Sequence, residues 1–504
     1  MENKITIPKK LIAVSILILI VIHFCLIIVF VEPFPSWGDD WVYFSTIDSF
    51  LINGNNSIID FILPFHGGVH SILFGKIYAL IYFLFFDNFN YKSSVFLANL
   101  LVIPILGIYI NYAKLVKIKP LQFIGIALIF FSLKGNADNY NLGGVTLHDA
   151  LSVFFITYIS YLITIKRNFS LGILLANLFL LLASTEAIGI LILANLFSFL
   201  NNFKFRNWAL LISLICILIY LWGIHISQND LHVNASEMQL NLGVFLSPFL
   251  FIGGLFSNFY IALVLGIICS ILTSICWIKS TNSFKEKIKD ENMFLPIILI
   301  SIMSVGIMVQ LTRGFDENGN LSYNSLTANR FSYYHLMPLV IAYISIIKLI
   351  PVKWVKIEFA FLLLALLFYV FNLKSQIPIL KFEKERILAD AYNYKENDIS
   401  ILYPSDSTFI KKIKKWDWIE WPNFKKLYLF KNEVPVKFKF EITGELTSFT
   451  LETLGQNESG YFALRSNKKK FLVYAKKIDA NHFNVNLNTN QIQQLTSISV
   501  TQLY

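Results

Sequence analysis

The chain has 504 residues, of which 56% are hydrophobic and only 15% are charged, and its mean hydropathy is +0.60. Soluble domains carry roughly 25% charged residues, so this composition excludes an ordinary soluble protein. Several apolar runs reach about 20 residues, the length that crosses a bilayer. The formal charge of +10 does not indicate nucleic-acid binding, because the Lys and Arg residues form short clusters between apolar runs, as they do in oriented membrane proteins.

The first apolar run, 11–31, predicts a signal-anchor helix that stays in the protein, since it is too long for a signal peptide and no cleavage site follows. Lys4, Lys9 and Lys10 precede it, which predicts a cytoplasmic N-terminus. The first outer loop, 32–68, therefore faces the extracytoplasmic side. It begins with Trp37-Gly38-Asp39-Asp40-Trp41.

The rest of the first 373 residues predicts a polytopic α-helical bundle with about 11 spans. Two apolar stretches, 71–86 and 244–256, are interpreted as outer juxtamembrane helices. With these two kept outside, every Lys/Arg cluster between spans falls on the cytoplasmic side. The predicted spans are 11–31, 94–112, 121–133, 147–165, 171–183, 188–200, 208–226, 259–278, 294–311, 331–347 and 357–371.

From residue 374 charges become common and the apolar runs shorten, which predicts a separate C-terminal domain, 374–504, on the extracytoplasmic side. Its start is expected to be partly helical. Its later part predicts a small antiparallel β domain, because runs with strand-like alternation are separated by Gly and Asn turns. These runs are 437–442, 449–452, 471–474 and 482–487. The tryptophans of 416–421 predict an interfacial anchor between this domain and the membrane, with stacking on a sugar as the alternative.

Asp39 and Asp40 are the first candidates for chemistry. A carboxylate just outside a span can take a proton from an acceptor hydroxyl as a general base, or bind a divalent cation such as Mg²⁺ or Mn²⁺. The flanking tryptophans would hold the pair at the depth of the lipid headgroups. The alternative is two solvated loop acids. The four cysteines lie inside apolar runs without metal-binding spacing, so we interpret them as core residues.

This layout resembles the GT-C superfamily of integral-membrane glycosyltransferases. The shared features are an N-terminal anchor span, an outer loop that opens with an acidic pair, a juxtamembrane helix and about ten further spans. Asp39-Asp40 occupies the position of the family's acidic pair, whereas His66-Gly67-Gly68-Val69-His70 stands where the family has a basic and proline-containing motif. The resemblance is nearest to the bacterial surface-polysaccharide, O-antigen-modifying type. It implies a polyprenyl-phosphate-linked sugar as donor.

A lipid-phosphate donor requires cations at headgroup depth, and Arg binds phosphate through two parallel hydrogen bonds. Arg313 and Arg330 stand at the two ends of one predicted outer loop, and Lys134 lies in another. We expect these three to bind the donor phosphate and to stabilise its charge as it leaves. Snorkelling of the basic side chains to lipid headgroups is the alternative.

Further polar residues on the same predicted side are candidates for substrate contacts. His66 and His70 have i, i+4 spacing, which also fits a metal site, although Gly67-Gly68 disfavours a helix there. Glu186 lies at the tip of a predicted hairpin, where it could bind sugar hydroxyls, pair with Lys134 or simply be solvated. The remaining candidates are Asp138 and Tyr333, the neighbours Tyr334 and His335, and, more weakly, His148 and Asp149.

Together these features predict a GT-C-like hexosyltransferase of a bacterial inner membrane. It would transfer a sugar from a polyprenyl-phosphate donor to a surface glycan or lipid-linked acceptor, with Asp39 as the base and Asp40 orienting the acceptor or binding a cation. A transporter or flippase of lipid-linked sugars, a polysaccharide polymerase or ligase, and a non-catalytic anchor for the β domain are the alternatives. A transporter should place ionisable residues near the middle of the bilayer.

Overall fold

The computed structural model describes the greater part of the chain. The described residues are 8–34, 41–54, 57, 61–62, 73–132, 143–182, 186–228, 242–256, 258–280, 291–313, 326, 331–351, 354–397, 417–428, 433–443, 446–453, 460–466, 469–479, 481–488 and 499–503.

The described part of the chain up to residue 428 is mostly helical. Its helices are α1 Lys9–Phe30, α2 Trp41–Ile47, α3 Leu73–Phe86, α4 Tyr91–Leu100, α5 Val102–Leu115, α6 Gln122–Phe130, α7 Gly143–Tyr161, α8 Phe169–Leu182, α9 Ala187–Leu200, α10 Arg206–Gln228, α11 Leu242–Ile252, α12 Phe259–Ile278, α13 Phe294–Arg313, α14 Ser332–Leu349, α15 Val355–Tyr392 and α16 Lys425–Tyr428. Single π-helical turns extend α2 to Ile52, α7 to Lys166 and α15 to Asn397.

Among the described residues, eight helices are long and apolar enough to cross a membrane, as expected for a multi-pass membrane protein. Their outer faces carry exposed aliphatic side chains, for example Leu17 on α1 and Leu218 on α10, which suits contact with lipid tails. The eight are Lys9–Phe30, Tyr91–Leu115, Leu147–Lys166, Arg206–Gly223, Phe259–Ile278, Glu291–Gln310, Ser332–Leu349 and Lys356–Glu396.

Three of the eleven predicted spans coincide with shorter helices. Helix α6 has 9 residues, and α8 and α9 have 14 each. At 1.5 Å per residue, 14 residues cover about 21 Å, less than the roughly 30 Å hydrocarbon core. A full crossing by these three segments stays a prediction. Helices α8 and α9 do form the expected hairpin, and Asn177 and Asn195 both donate hydrogen bonds to Ser213 Oγ on α10, at 3.1 and 2.9 Å.

The stretch 244–256, interpreted as an outer juxtamembrane helix, packs closely on the bundle, and its position relative to the membrane stays a prediction. Helix α11 lies along α12 and α13 within the bundle. The reason is a close backbone approach at two glycines. A Cβ at Gly266 would lie 1.9 Å from the carbonyl oxygen of Phe249, and one at Gly253 would lie 1.8 Å from that of Ala262.

The C-terminal region contains two small antiparallel sheets. The strands are β1 Glu433–Pro435, β2 Lys437–Thr443, β3 Leu446–Glu452, β4 Tyr461–Ser466, β5 Lys469–Tyr474, β6 Lys476–Lys477, β7 His482–Asn488 and β8 Ser499–Leu503. They pair in the orders β1-β8-β4-β5 and β2-β3-β7-β6. Both sheets contribute to one apolar core, in which the rings of Phe462 and Phe483 are 5.2 Å apart. The expectation of an antiparallel β region is therefore confirmed.

The β region and the start of the chain are joined by a shared apolar cluster, which we call the junction core. It combines the end of α1, the helices α2 and α3, and the last turns of α15 with residues of β4, β5 and β8. Trp418 stacks on Phe44 with ring centroids 5.8 Å apart, and Trp421 stacks on Phe34 at 5.2 Å. Asn90 Nδ2 donates to Glu420 at 2.6 Å. The predicted tryptophan anchor thus packs on the first loop.

The junction core defines one end of the helical bundle, which we call the β-domain end. The opposite end carries Lys119, whose Nζ is 2.8 Å from Glu358, and Asn292, which accepts a hydrogen bond from Lys348. Helix α14 begins at Ser332 and reaches this opposite end near Lys348. Helix α15 begins there and runs without a break through the predicted domain boundary at 373/374 to the junction core.

Candidate functional site

Most of the residues that the sequence assigns to the site lie outside the described part of the chain. These are Asp39, Asp40, His66, His70, Lys134, Asp138 and Arg330, and their roles stay predictions. Arg313 is the last residue of α13, but its side chain is outside the described part as well. The described neighbours of the acidic pair, Phe34 and Phe44, are buried in the junction core.

Glu186 immediately precedes α9, and its carboxylate is buried, with 4% of the residue exposed. Three side chains meet its Oε2 atom. The Tyr334 hydroxyl donates at 2.9 Å, the Ser152 hydroxyl donates at 3.1 Å, and His148 Nε2 lies 3.1 Å away. The alternative interpretation of Glu186 as a solvated hairpin tip is therefore wrong.

The helices α7, α9 and α14 position this cluster. His148 and Ser152 are four residues apart on α7, so they lie on one face of that helix. Asp149 follows His148 and is 2% exposed. One ligand atom from each of His148, Asp149 and Glu186 lies within 4.8 Å of the other two. We call these three residues together with Ser152 and Tyr334 the buried polar cluster.

The buried polar cluster lies toward the β-domain end of the bundle. Tyr334 is in the first turn of α14, whose last turn is at the opposite end. His148 is near the start of α7, and the last residue of α7, Tyr161, accepts a hydrogen bond from Asn111 at the far end of α5 at 2.7 Å. The cluster thus shares an end of the bundle with the first loop and the β region.

Tyr333 belongs to a second hydrogen-bonded group beside the cluster. Its hydroxyl donates to Asn99 Oδ1 at 2.7 Å, and His23 Nε2 lies 2.6 Å from the same oxygen. All three residues are at most 3% exposed. The group links α1, α4 and α14, so the structure places Tyr333 in a contact between helices.

His335, two residues after Tyr333, faces an apolar cavity of about 440 Å³ between α11, α12, α14 and α15. Its Nε2 atom is 3.1 Å from the carbonyl oxygen of Leu326. The other lining residues are almost all aliphatic or aromatic, among them Leu265, Leu339 and Phe368. An apolar cavity within the bundle suits a lipid tail or another elongated apolar group.

A second cavity, of about 620 Å³, lies between the last turns of α15 and the two sheets. Its lining is mixed. Arg386, Lys476 and Lys477 supply positive charge, and Tyr474 and Phe382 supply aromatic rings. Both cavities fall in the usual size range of ligand pockets, about 300–1,000 Å³.

The buried polar cluster is only weakly indicated by the sequence. Its signal was present, because His148, Asp149 and Glu186 are ionisable residues at the edges of apolar runs, and such residues are costly in a membrane. Their convergence depends on helices that are far apart in the chain.

Comparison with models of protein families, with curated proteins and with solved structures finds no match to this chain.

Proposed function

We propose that the protein is a membrane glycosyltransferase that uses a polyprenyl-phosphate-linked sugar and modifies a glycan or glycolipid acceptor on the extracytoplasmic side. One observation carries the proposal. The described residues around the acidic-pair segment, the β region and the buried polar cluster all meet at one end of the bundle. A transfer between a membrane-bound donor and a glycan acceptor needs such a shared end.

In the proposed reaction the carboxylate of Asp39 takes the proton of the acceptor hydroxyl. The hydroxyl oxygen forms the new bond to the anomeric carbon, and the bond from that carbon to the donor phosphate breaks. Arg313, Arg330 and Lys134 stabilise the negative charge on the departing phosphate. Asp40 orients the acceptor or binds a cation.

The two cavities support this assignment of substrates. The apolar cavity beside His335 suits the isoprenoid tail of the donor. The cavity beside Tyr474 and Phe382 combines aromatic faces with charged donors, a combination that suits a sugar chain. This cavity lies at the β-domain end, where the acceptor would approach.

The proposal is tested in cells that lack the gene. Surface and lipid-linked glycans from wild-type and deletion cells are compared by mass spectrometry, and a difference of one hexose or a similar unit is expected. Complementation with Asp39→Asn should not restore the unit. Asp87→Asn is the matched control, because Asp87 lies near the same end with a φ of 53°, a conformation that Asn tolerates. Full restoration of the unit by Asp39→Asn would refute the role of Asp39 as the base.

A transporter of lipid-linked sugars is the second candidate. The observation in its favour is that Asp149 and Glu186 are buried within the helical bundle, where ionisable residues often mark proton or ion pathways. Their place toward the β-domain end, rather than the middle of the bundle, favours the enzyme. A transporter would move the lipid-linked sugar across vesicles that contain the purified protein, without a change in its mass. An enzyme would give a product one sugar larger when donor and acceptor are both present.

A further inference from the structure

The buried polar cluster brings two carboxylates close together where water is scarce. Asp149 and Glu186 are 2% and 4% exposed, and their oxygens are within 4.8 Å of each other. Two such charges repel each other, and each loses its hydration on burial. The imidazole of His148 can offset at most one negative charge. A cation bound between the two carboxylates would offset both effects.

The positions of the donor atoms suit a cation. Ligand nitrogen and oxygen atoms lie about 2.0–2.2 Å from a zinc ion, so two ligands of one ion are roughly 3.0–3.5 Å apart. His148 Nε2 and Glu186 Oε2 are 3.1 Å apart. Asp149, at the next position of α7, brings a carboxylate oxygen within 4.8 Å of both atoms, a distance that has to shorten when one ion binds all three residues. One nitrogen and two carboxylate oxygens make a ligand set that several divalent metals accept.

We propose that His148, Asp149 and Glu186 bind one divalent cation of the Zn²⁺ or Mn²⁺ class. The imidazole ligand favours these ions over Mg²⁺ and Ca²⁺, which prefer oxygen ligands alone. The hydroxyls of Tyr334 and Ser152 donate to the Glu186 carboxylate and hold it in position, as partners of metal ligands commonly do. The cation joins α7 to α9 and, through Tyr334, to α14.

This site uses residues other than Asp39 and Asp40, and the inference does not rest on the proposed transfer activity. A metal that joins three helix ends would stabilise the β-domain end whether the protein is an enzyme or a transporter. The test therefore measures metal content and thermal stability.

The full-length protein is purified in detergent, stripped with EDTA, and reloaded with ZnCl₂ or MnCl₂ in separate samples. After removal of excess ion, elemental mass spectrometry should give about one equivalent of at least one of the two metals. Glu186→Gln and Asp149→Asn should each lower the content at least tenfold. The control Glu358→Gln should keep it. Glu358 is a buried acid at the opposite end that pairs with Lys119.

Thermal unfolding of the stripped wild-type protein gives a measurement that needs no variant. A ligand that binds only the folded state raises its midpoint, and the bound metal should raise Tm by about 2 °C or more. Less than a tenth of an equivalent of both metals, or an unchanged Tm with both, overturns the site. Retention of a full equivalent by both Glu186→Gln and Asp149→Asn overturns it as well.

Discussion

Each end of the bundle contains a buried glutamate, and the surroundings of the two glutamates differ. At the opposite end, Glu358 pairs with Lys119 at 2.8 Å, and the lysine side chain is 43% exposed, so the pair remains in contact with water. At the β-domain end, Glu186 is surrounded by Tyr334, Ser152 and His148. The first arrangement is an ordinary ion pair at the edge of a membrane bundle. The second needs three helices to converge, which is the kind of costly arrangement that marks a functional site.

The largest expected difference between the two ends is in thermal stability. Glu186→Ala leaves the buried hydroxyls of Ser152 and Tyr334, and the partly buried imidazole of His148, without their shared acceptor. Such losses in a buried network cost on the order of 3 kcal/mol. Glu358→Ala releases Lys119 into water, and the loss of a partly exposed pair costs about 1 kcal/mol or less. Unfolding midpoints of the purified variants should therefore fall further for Glu186→Ala. Equal midpoints would remove the distinction between the two carboxylates.

A smaller effect is expected from removal of a single hydroxyl. Tyr334→Phe removes a hydrogen bond to a carboxylate, which contributes about 1.5–3 kcal/mol. Tyr343→Phe is the matched control at the opposite end, because the Tyr343 hydroxyl donates to the neutral amide oxygen of Gln122, a bond that contributes about 1 kcal/mol. Differential scanning measurements on both variants should rank Tyr334→Phe as the more damaging. The reverse order would contradict the charged state of Glu186, metal-bound or free.

The smallest expected effect is a pH dependence of thermal stability that arises from Asp479 in the β region and not from the bundle. The backbone N–H of Asn481, and after it the His482 side chain, hold the pKa of Asp479 below its usual value. The ionised carboxylate therefore stabilises the fold above the unfolded pKa, and this contribution is lost as the pH falls through the lowered one. Asp479→Asn removes the charge.

The difference in Tm between wild type and Asp479→Asn should be largest near pH 7 and should shrink toward zero near pH 3. Glu358→Gln is measured over the same pH range as the comparison variant, because Glu358 lies in the helical bundle and not in the β region. A difference that stays constant over the whole range would show that the turn at Asp479 does not depend on its charge.

Hydropathy and alternation predict much of this fold. The eight long apolar helices match predicted spans, and the four runs with strand-like alternation became β2, β3, β5 and β7. Strand β4 was missed although it carries Phe462 and Leu464, since its neighbouring positions are apolar as well and give no alternation. Helix α15 continues past the span end predicted at 371. The change in composition at 374 alters the polarity of the chain without ending the helix, and Pro378 lies inside it.

The site could be predicted less completely, since it depends on contacts between distant parts of the chain. Nothing in a local pattern indicates that Trp418 stacks on Phe44, or that Glu186 meets Tyr334. Local chemistry did identify Glu186 and Tyr333 as unusual polar residues beside apolar runs. It could not tell that Tyr333 bonds to Asn99 while its neighbour Tyr334 bonds to the glutamate.

The central claim is that the first loop, the predicted phosphate-binding residues and the β region share the extracytoplasmic face. It is tested most directly by single cysteines in a background that lacks Cys25, Cys216, Cys269 and Cys276. Intact cells are treated with a maleimide that does not cross membranes. Cysteines at Asn481, in the β region, and at Lys134 should both be labelled, whereas one at Lys119 should be labelled only after the cells are opened. Labelling of position 134 only in opened cells, with position 481 labelled in intact ones, would contradict the shared face and with it the proposed site.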